Sequence, residues 1–244
     1  MTGASPVILA RGDGWIAIDK PPGEVVIPAR HDDPLDCTWR RAEATLGARL
    51  WVVHRIDRDT SGIVLFATDA EAHRTLSMAF EHGRVSKTYV ALTRGFPPGR
   101  SGTIDTPLHP ARKGKMRPAL PREPGALPAI TDWSTLSEWN TPAGAVGWIE
   151  ARPRTGRQHQ IRVHLRSVGS PLLVDPLYGR SDRLLADQLG GSGQDVVMER
   201  LTLHARRIQL DAPRGGRIAI EAPLAADLER LIALLGTPAW SAAR

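Results

Sequence analysis

The sequence predicts an α+β fold. Short apolar runs bounded by turn residues recur along the whole chain, and only a few stretches with helical spacing lie between them. No internal repeat is present.

Residues 7–9 and 15–18 are apolar runs separated by Arg11-Gly12-Asp13-Gly14, read as strand, turn and strand. Lys20-Pro21-Pro22-Gly23 stops the second strand, because proline removes a ladder donor. Residues 34–46 have weak helical character and lead into a strand over 50–53. A polar turn over 57–62 precedes a buried strand over 63–67. Asp69 is placed to cap a helix whose apolar face is Leu76, Met78, Ala79 and Phe80, ending at Gly83. Residues 87–93 alternate around Tyr89 as a strand.

Residues 94–128 are basic and rich in proline and glycine, so they are expected to form a set of hairpins or a long loop. Strands follow at 131–138 and 146–152, then a helix over 158–168 with Ile161, Leu165 and Val168 on one side. Residues 180–194 read as a loop. Strands at 201–210 and 217–222 close the chain before an amphipathic helix over 227–235, with Leu228, Leu231 and Leu235 inward.

A length of 244 residues suits one domain, here 1–244, with 94–128 as a loop region inside it. The 41% hydrophobic and 24% charged composition is that of a soluble globular protein. No apolar run is long enough to span a membrane, and residues 1–10 lack the pattern of a signal peptide. A cytoplasmic monomer is expected, with no small basic RNA-binding module ahead of Val7. The single cysteine, Cys37, excludes an internal disulfide and a cysteine metal cluster.

The net charge of +6 fits a polyanionic partner, and its distribution says more. Five arginines (152, 154, 157, 162 and 166) and two histidines fall between residues 152 and 166 with no acid among them. Six basic residues face only Asp105 between residues 100 and 122. Such blocks are the footprint of phosphate contacts, a solvated basic face being the plainer reading.

Three constellations carry chemistry. His54-Arg55-Ile56-Asp57-Arg58-Asp59-Thr60-Ser61-Gly62 packs two acids, two arginines and a histidine between apolar strands, more than a connecting turn needs. Thr155-Gly156-Arg157-Gln158-His159-Gln160-Ile161-Arg162-Val163-His164-Leu165 opens a helix whose N-terminus can face phosphate. On a regular helix Gln158, Arg162 and Leu165 share a side, and an inward Arg162 needs a carboxylate partner. His159 and His164, five apart with no close third ligand, make a poor metal site. Ser86-Lys87-Thr88-Tyr89 alone is an ordinary strand. No phosphate-loop Gly-Lys-Ser/Thr follows the glycines at 190–193, and no Gly-x-Ser-x-Gly elbow exists.

In order and spacing, these segments resemble the three signature motifs of the RluA family of RNA pseudouridine synthases. Lys20-Pro21-Pro22-Gly23, Asp175-Pro176-Leu177-Tyr178-Gly179 and Leu203-His204-Ala205 extend the resemblance over nearly the whole chain. Ile56 stands where leucine is usual and Val174 where glycine often is; neither removes a reactive group.

The resemblance implies a mixed, mostly antiparallel sheet bent around a central catalytic cleft, with no metal and no cofactor. It implies Asp57 as catalytic aspartate, Arg162 as its ion-pair partner, and Tyr89 stacking on the target base. Arg55 would help displace that base, and Val163 and Leu165 would line the pocket. Arg58, Lys87, Arg157, His159, Gln160, Arg112, Lys113 and Lys115 are the expected RNA contacts, on tRNA or rRNA. A carboxylate could serve as nucleophile on the ribose or as base toward it. Two rivals stand beside this reading. One is an inactive RNA-binding protein, which would have lost Asp57, Tyr89 or Arg162. The other is a hydrolase pairing Asp57 with Asp59.

Overall fold

The computed structural model describes residues 5–28, 36–179 and 181–242. In chain order the elements are β1 (Val7–Gly12), β2 (Trp15–Lys20), α1 (Thr38–Leu46), β3 (Trp51–Val52), β4 (Ser61–Ala67), α2 (Ala70–Glu81) and β5 (Ser86–Arg94). Then come β6 (Ser101–Asp105), β7 (Leu108–Pro110), β8 (Met116–Pro118), β9 (Ile130–Thr141), β10 (Gly144–Pro153) and α3 (Gln160–Ser167). The chain closes with β11 (Leu184–Leu185), β12 (Val196–Met198), β13 (Leu203–Asp211), β14 (Arg217–Glu221), α4 (Ala226–Leu235) and β15 (Trp240–Ser241). Strands dominate, nearly all antiparallel, which is the expected α+β class.

The chain forms two compact units. The first holds the residues up to Lys87 together with His204–Ala225. Its central strand is β4, SGIVLFA, buried at every position. Such a run forms a strand because β-branched and aromatic side chains fit a pleated surface covered on both faces. Alternation decides which face each residue serves. Ile63, Leu65 and Ala67 pack with Ala72 and Leu76 of α2, while Val64 and Phe66 pack with Ile16, Ile18, Ala42 and Leu50. β2 lies antiparallel to β4, and β13 lies parallel to it through Ser61–His204 and Gly62–Ala205.

α2 begins where expected: the Asp69 carboxylate accepts the Ala72 N–H at 2.9 Å. That bond, then Arg214, holds the Asp69 carboxyl below the usual carboxylate range. α1 runs to Leu46 as expected and starts at Thr38; the expected start at 34 lies outside the described residues.

The second unit holds Thr88–Leu203 and Ala226–Arg244. Its frame is the long β9–β10 hairpin, with β5 on one side of β10 and β6 and β15 on β9. Ala91, Trp133, Ile149 and Ala151 of this sheet pack with Ile161 and Leu165 of α3. α4 buries Leu228 and Leu231, while Leu235 is only half-buried.

Residues 94–128 are hairpins rather than a long loop. β6 joins the sheet edge, and β7 and β8 pair through Leu108–Pro118, His109–Arg117 and Pro110–Met116. The hairpin is held because Leu108 and Met116 bury against Ala129, Val163 and Tyr178. Leu108 and Leu127 also exchange backbone bonds of 2.9 and 2.7 Å.

Candidate active site

The first constellation is the loop between β3 and β4. Four local devices fix it. Lys20 is fully buried, and its ammonium donates to the carbonyls of Pro21, Glu24 and Arg58, each at 2.7 Å. One lysine therefore ties the turn after β2 to the loop beside Asp57. Thr60 N–H donates to the Asp57 carbonyl at 3.2 Å, closing a turn. The Ser61 hydroxyl meets His204 Nδ1 at 3.0 Å. Gly62 has φ of +105°, and a Cβ there would lie 2.3 Å from the Ala205 carbonyl oxygen. Only glycine fits that close approach of β4 to β13.

His54 is the fifth anchor. Its Nε2 accepts the Leu65 N–H at 2.9 Å, and its ring stacks on Phe80 at 4.4 Å between centroids. An accepting Nε2 has no proton, so the imidazole is neutral. Burial, with the Lys87 charge adding to it, pushes its pKa down to about 3. His54 therefore holds the loop to β4 and is not an acid or base at neutral pH. On this frame Asp57 is half-buried, Asp59 is half-buried, and Arg55 and Arg58 are exposed. Lys87 is half-buried on β5, where burial lowers its pKa.

In the second unit Tyr89, on β5 opposite Ala151, packs half-buried against the Ala91–Ile149–Leu165 cluster. α3 starts at Gln160, two residues later than expected, so Gln158 is not on the helix with Arg162. The reason is local. His159 takes a left-handed conformation (φ +53°), and Gln160 turns back into the preceding loop. Its Oε1 accepts the Thr155 hydroxyl at 2.7 Å and the Arg157 N–H at 3.0 Å; its Nε2 donates to Ile130 O and Thr131 Oγ1, both at 2.9 Å.

Gln160 is thus a buried brace, a correction to its expected place on the RNA surface. The Arg157 N–H, just ahead of the helix, is taken by this brace. His164 continues the network: Nδ1 meets Thr131 Oγ1 at 2.8 Å and Nε2 meets Thr106 O at 2.9 Å. A carbonyl can only accept, so Nε2 carries the proton, and burial lowers the His164 pKa.

Arg162 is buried, with 5% of the residue exposed. Its Nε and Nη2 donate to Asp175 Oδ2 and Oδ1, both at 2.8 Å. The inward arginine does have a carboxylate partner, and within its own unit that partner is Asp175. Asp175 Oδ1 also accepts the N–H groups of Leu177 and Tyr178 at 2.9 and 3.0 Å. The Tyr178 ring lies 4.9 Å from the Arg162 guanidinium carbon, and its hydroxyl meets both His159 Nδ1 and Met116 N–H at 2.7 Å. Fork, ring and turn together restrict the orientation of the guanidinium. Sequence reasoning gave the Asp175–Gly179 segment no role. The signal that could have found it was an acid near a tyrosine, just after a helix with an inward arginine.

The basic blocks divide in two. Arg100 pairs with Glu138, Arg117 with Glu123, Arg152 with Glu150 and Arg154 with Asp132. Arg112 and Lys113, at the exposed tip between β7 and β8, have no ion-pair partner among the described residues. Lys115 is half-buried and donates to the Leu177 carbonyl at 3.2 Å. Arg157 is exposed, its Nε held by the Pro128 carbonyl at 2.9 Å, and His159 is half-buried. Among the described residues no three His, Cys, Asp or Glu side chains group as a metal site would require, and no helix is long and apolar enough to cross a membrane.

Residues 14–167 match the family model described as RNA pseudouridylate synthase. The chain belongs to this family. Within it, the RluA branch is the one its relatives represent. The chain is 36% identical over 210 residues to an uncharacterized RNA pseudouridine synthase of Zymomonas mobilis, covering 85% of this chain and 88% of that protein. It is 31% identical to a ribosomal large subunit pseudouridine synthase D of the same organism, covering 93% and 72%. It is also 31% identical to a tRNA pseudouridine synthase C of Haemophilus ducreyi, covering 85% and 86%. Among solved structures, human RNA pseudouridylate synthase domain containing 4 shares the fold, with a TM-score of 0.74, 24% identity and coverage of 94% of this chain and 92% of that one.

Proposed function

We propose that this protein is an RNA pseudouridine synthase that isomerises uridines in tRNA or rRNA, with Asp57 as its catalytic carboxylate. The observation that carries the reading is the construction around Asp57: Lys20, His54, Ser61 and Gly62 all serve to fix one short loop that carries two acids and two arginines. Relatives named for rRNA and for tRNA supply the substrate class.

In this reading the target uridine leaves its stack, at a cost of a few kcal/mol. The N1–C1′ bond breaks, the base turns, C5 bonds to C1′ and loses its proton, and the released N1 takes up a proton, so the product is an isomer of uridine. Asp57 serves the ribose as an anion, whether as nucleophile or as base. Arg162, held by Asp175 and Tyr178, is the cation the reading assigns to that anion, since an opposite charge favours the charged form. Tyr89 stacks on the base and Arg55 helps displace it. Arg58, Lys87, Arg157, His159, Arg112, Lys113 and Lys115 face the RNA backbone. The enzyme works as a monomer in the cytoplasm, where its substrates are, and needs no metal or cofactor.

Pseudouridine mapping of total RNA from cells with and without the gene tests this. At least one uridine in tRNA or rRNA should lose its modification and regain it on complementation. An unchanged map would contradict the reading.

A further inference from the structure

The β7–β8 hairpin matches none of the family motifs, yet it is bonded directly to the turn that aims Arg162. Met116 N–H donates to the Tyr178 hydroxyl at 2.7 Å. Lys115 Nζ donates to the Leu177 carbonyl at 3.2 Å, and Gln158 Nε2 reaches the Gly114 carbonyl at 3.4 Å. Below the surface, Met116 and Leu108 pack against Tyr178 and Val163. Tyr178 is 5% exposed, and its ring carries the Arg162 guanidinium on one face. The exposed Arg112 and Lys113 thus sit three to four residues from an amide that holds the phenol next to Arg162.

We propose that Tyr178 is a positioning residue that couples the seating of the basic β7–β8 hairpin to the orientation of Arg162. Polyanion drawn to Arg112 and Lys113 presses the hairpin onto the Asp175–Gly179 turn. Tyr178, bonded to Met116 and stacked on Arg162, then narrows the range of the guanidinium. The hairpin charges therefore contribute to the rate of the bound complex as well as to affinity. The proposal rests on the reading of the protein as a pseudouridine synthase.

Tyr178→Phe keeps the ring over Arg162 and removes the hydroxyl that Met116 and His159 share. The test measures RNA Kd and the single-turnover rate at saturating enzyme for wild type, Tyr178→Phe, the double variant Arg112→Ala/Lys113→Ala, and all three changes together. Tyr178→Phe is expected to slow the rate about tenfold, the equivalent of one net hydrogen bond, with little change in Kd. The hairpin variant should weaken binding and also slow the saturated rate. In the Tyr178→Phe background it should weaken binding only, because interacting residues are non-additive. A purely structural tyrosine would leave the hairpin's effect on rate intact.

A wild-type rate for Tyr178→Phe, no hairpin effect on the saturated rate, or additive rate effects would each overturn the proposal. Hydrogen exchange on the wild-type protein gives a second test that needs no variant. Binding of RNA should raise protection over 112–118 and over 175–179 together, and protection of the first segment alone would contradict the coupling. Failure of the broader reading looks different: wild-type enzyme would form no pseudouridine at all.

Discussion

Arg162 and Asp175 meet fork to fork, Nε to Oδ2 and Nη2 to Oδ1, with side chains only 6% and 1% exposed. The same carboxylate caps its own turn by accepting from Leu177 and Tyr178. A buried pair of this kind is costly to break from one side, because the remaining charge is stranded.

Asp175→Ala should therefore destabilise the protein by about 3–5 kcal/mol, the range for removing one partner of a buried pair. Urea unfolding followed by fluorescence would measure it. The double variant Arg162→Met/Asp175→Leu should recover much of that stability while remaining inactive. A double variant as unstable as Asp175→Ala would show that the turn, and not the stranded charge, dominates.

Gly62→Ala should be among the most damaging single changes in the first unit. The added Cβ would enter the Ala205 carbonyl at 2.3 Å, and φ of +105° is strained for any L-residue. Separation of β4 from β13 would disturb the Ser61–His204 contact and the loop that carries Asp57. Thermal unfolding should show a loss of at least about 2 kcal/mol, the scale of backbone strain and overpacking together. A neutral Gly62→Ala would mean the two strands part without cost.

His54 gives a pH dependence of defined sign. Its folded pKa of about 3 lies below the ordinary histidine value of 6.5, so the unfolded chain binds more protons between those values. Stability from this group is full above pH 6.5 and is lost as pH falls toward 3, at up to about 1.4 kcal/mol per pH unit. His54→Asn should flatten the stability-against-pH curve between pH 6.5 and about 4.5. Parallel curves for the two proteins would contradict the neutral assignment.

Salt dependence separates the two kinds of basic residue. Arg112→Ala/Lys113→Ala should lower the slope of log K against log salt by about 0.7–0.9 for each phosphate that these side chains neutralise. Arg152→Ala/Arg154→Ala, whose charges already face Glu150 and Asp132, should change it much less. Equal effects would mean that local pairing does not decide which arginines meet RNA.

Much of this was legible in the sequence. β4 and α2 were readable because periodicity and an Asp cap are local signals. Asp57 stood out because a short turn held more charge than a turn requires. The unread parts depend on partners distant in sequence. Gln160 has local partners in Thr155 and Arg157, but the two that bury its amide nitrogen, at 130–131, are some thirty residues away. The docking of the 94–128 region was hidden for the same reason: Met116 and Tyr178 are 62 residues apart. Charge counts misled where they ignored pairing, because Glu123, Glu138 and Asp132 lie outside the basic blocks they neutralise.

The most direct measurement is the single-turnover conversion of uridine to pseudouridine by Asp57→Asn on an RNA that the wild-type enzyme modifies, with Asp59→Asn beside it. Asn is nearly isosteric, so the loop held by Lys20 and His54 should stay folded and RNA binding should change little. The account predicts no detectable turnover for Asp57→Asn and a mild effect for Asp59→Asn. Appreciable pseudouridine formation by Asp57→Asn, at wild-type affinity for the RNA, would contradict it.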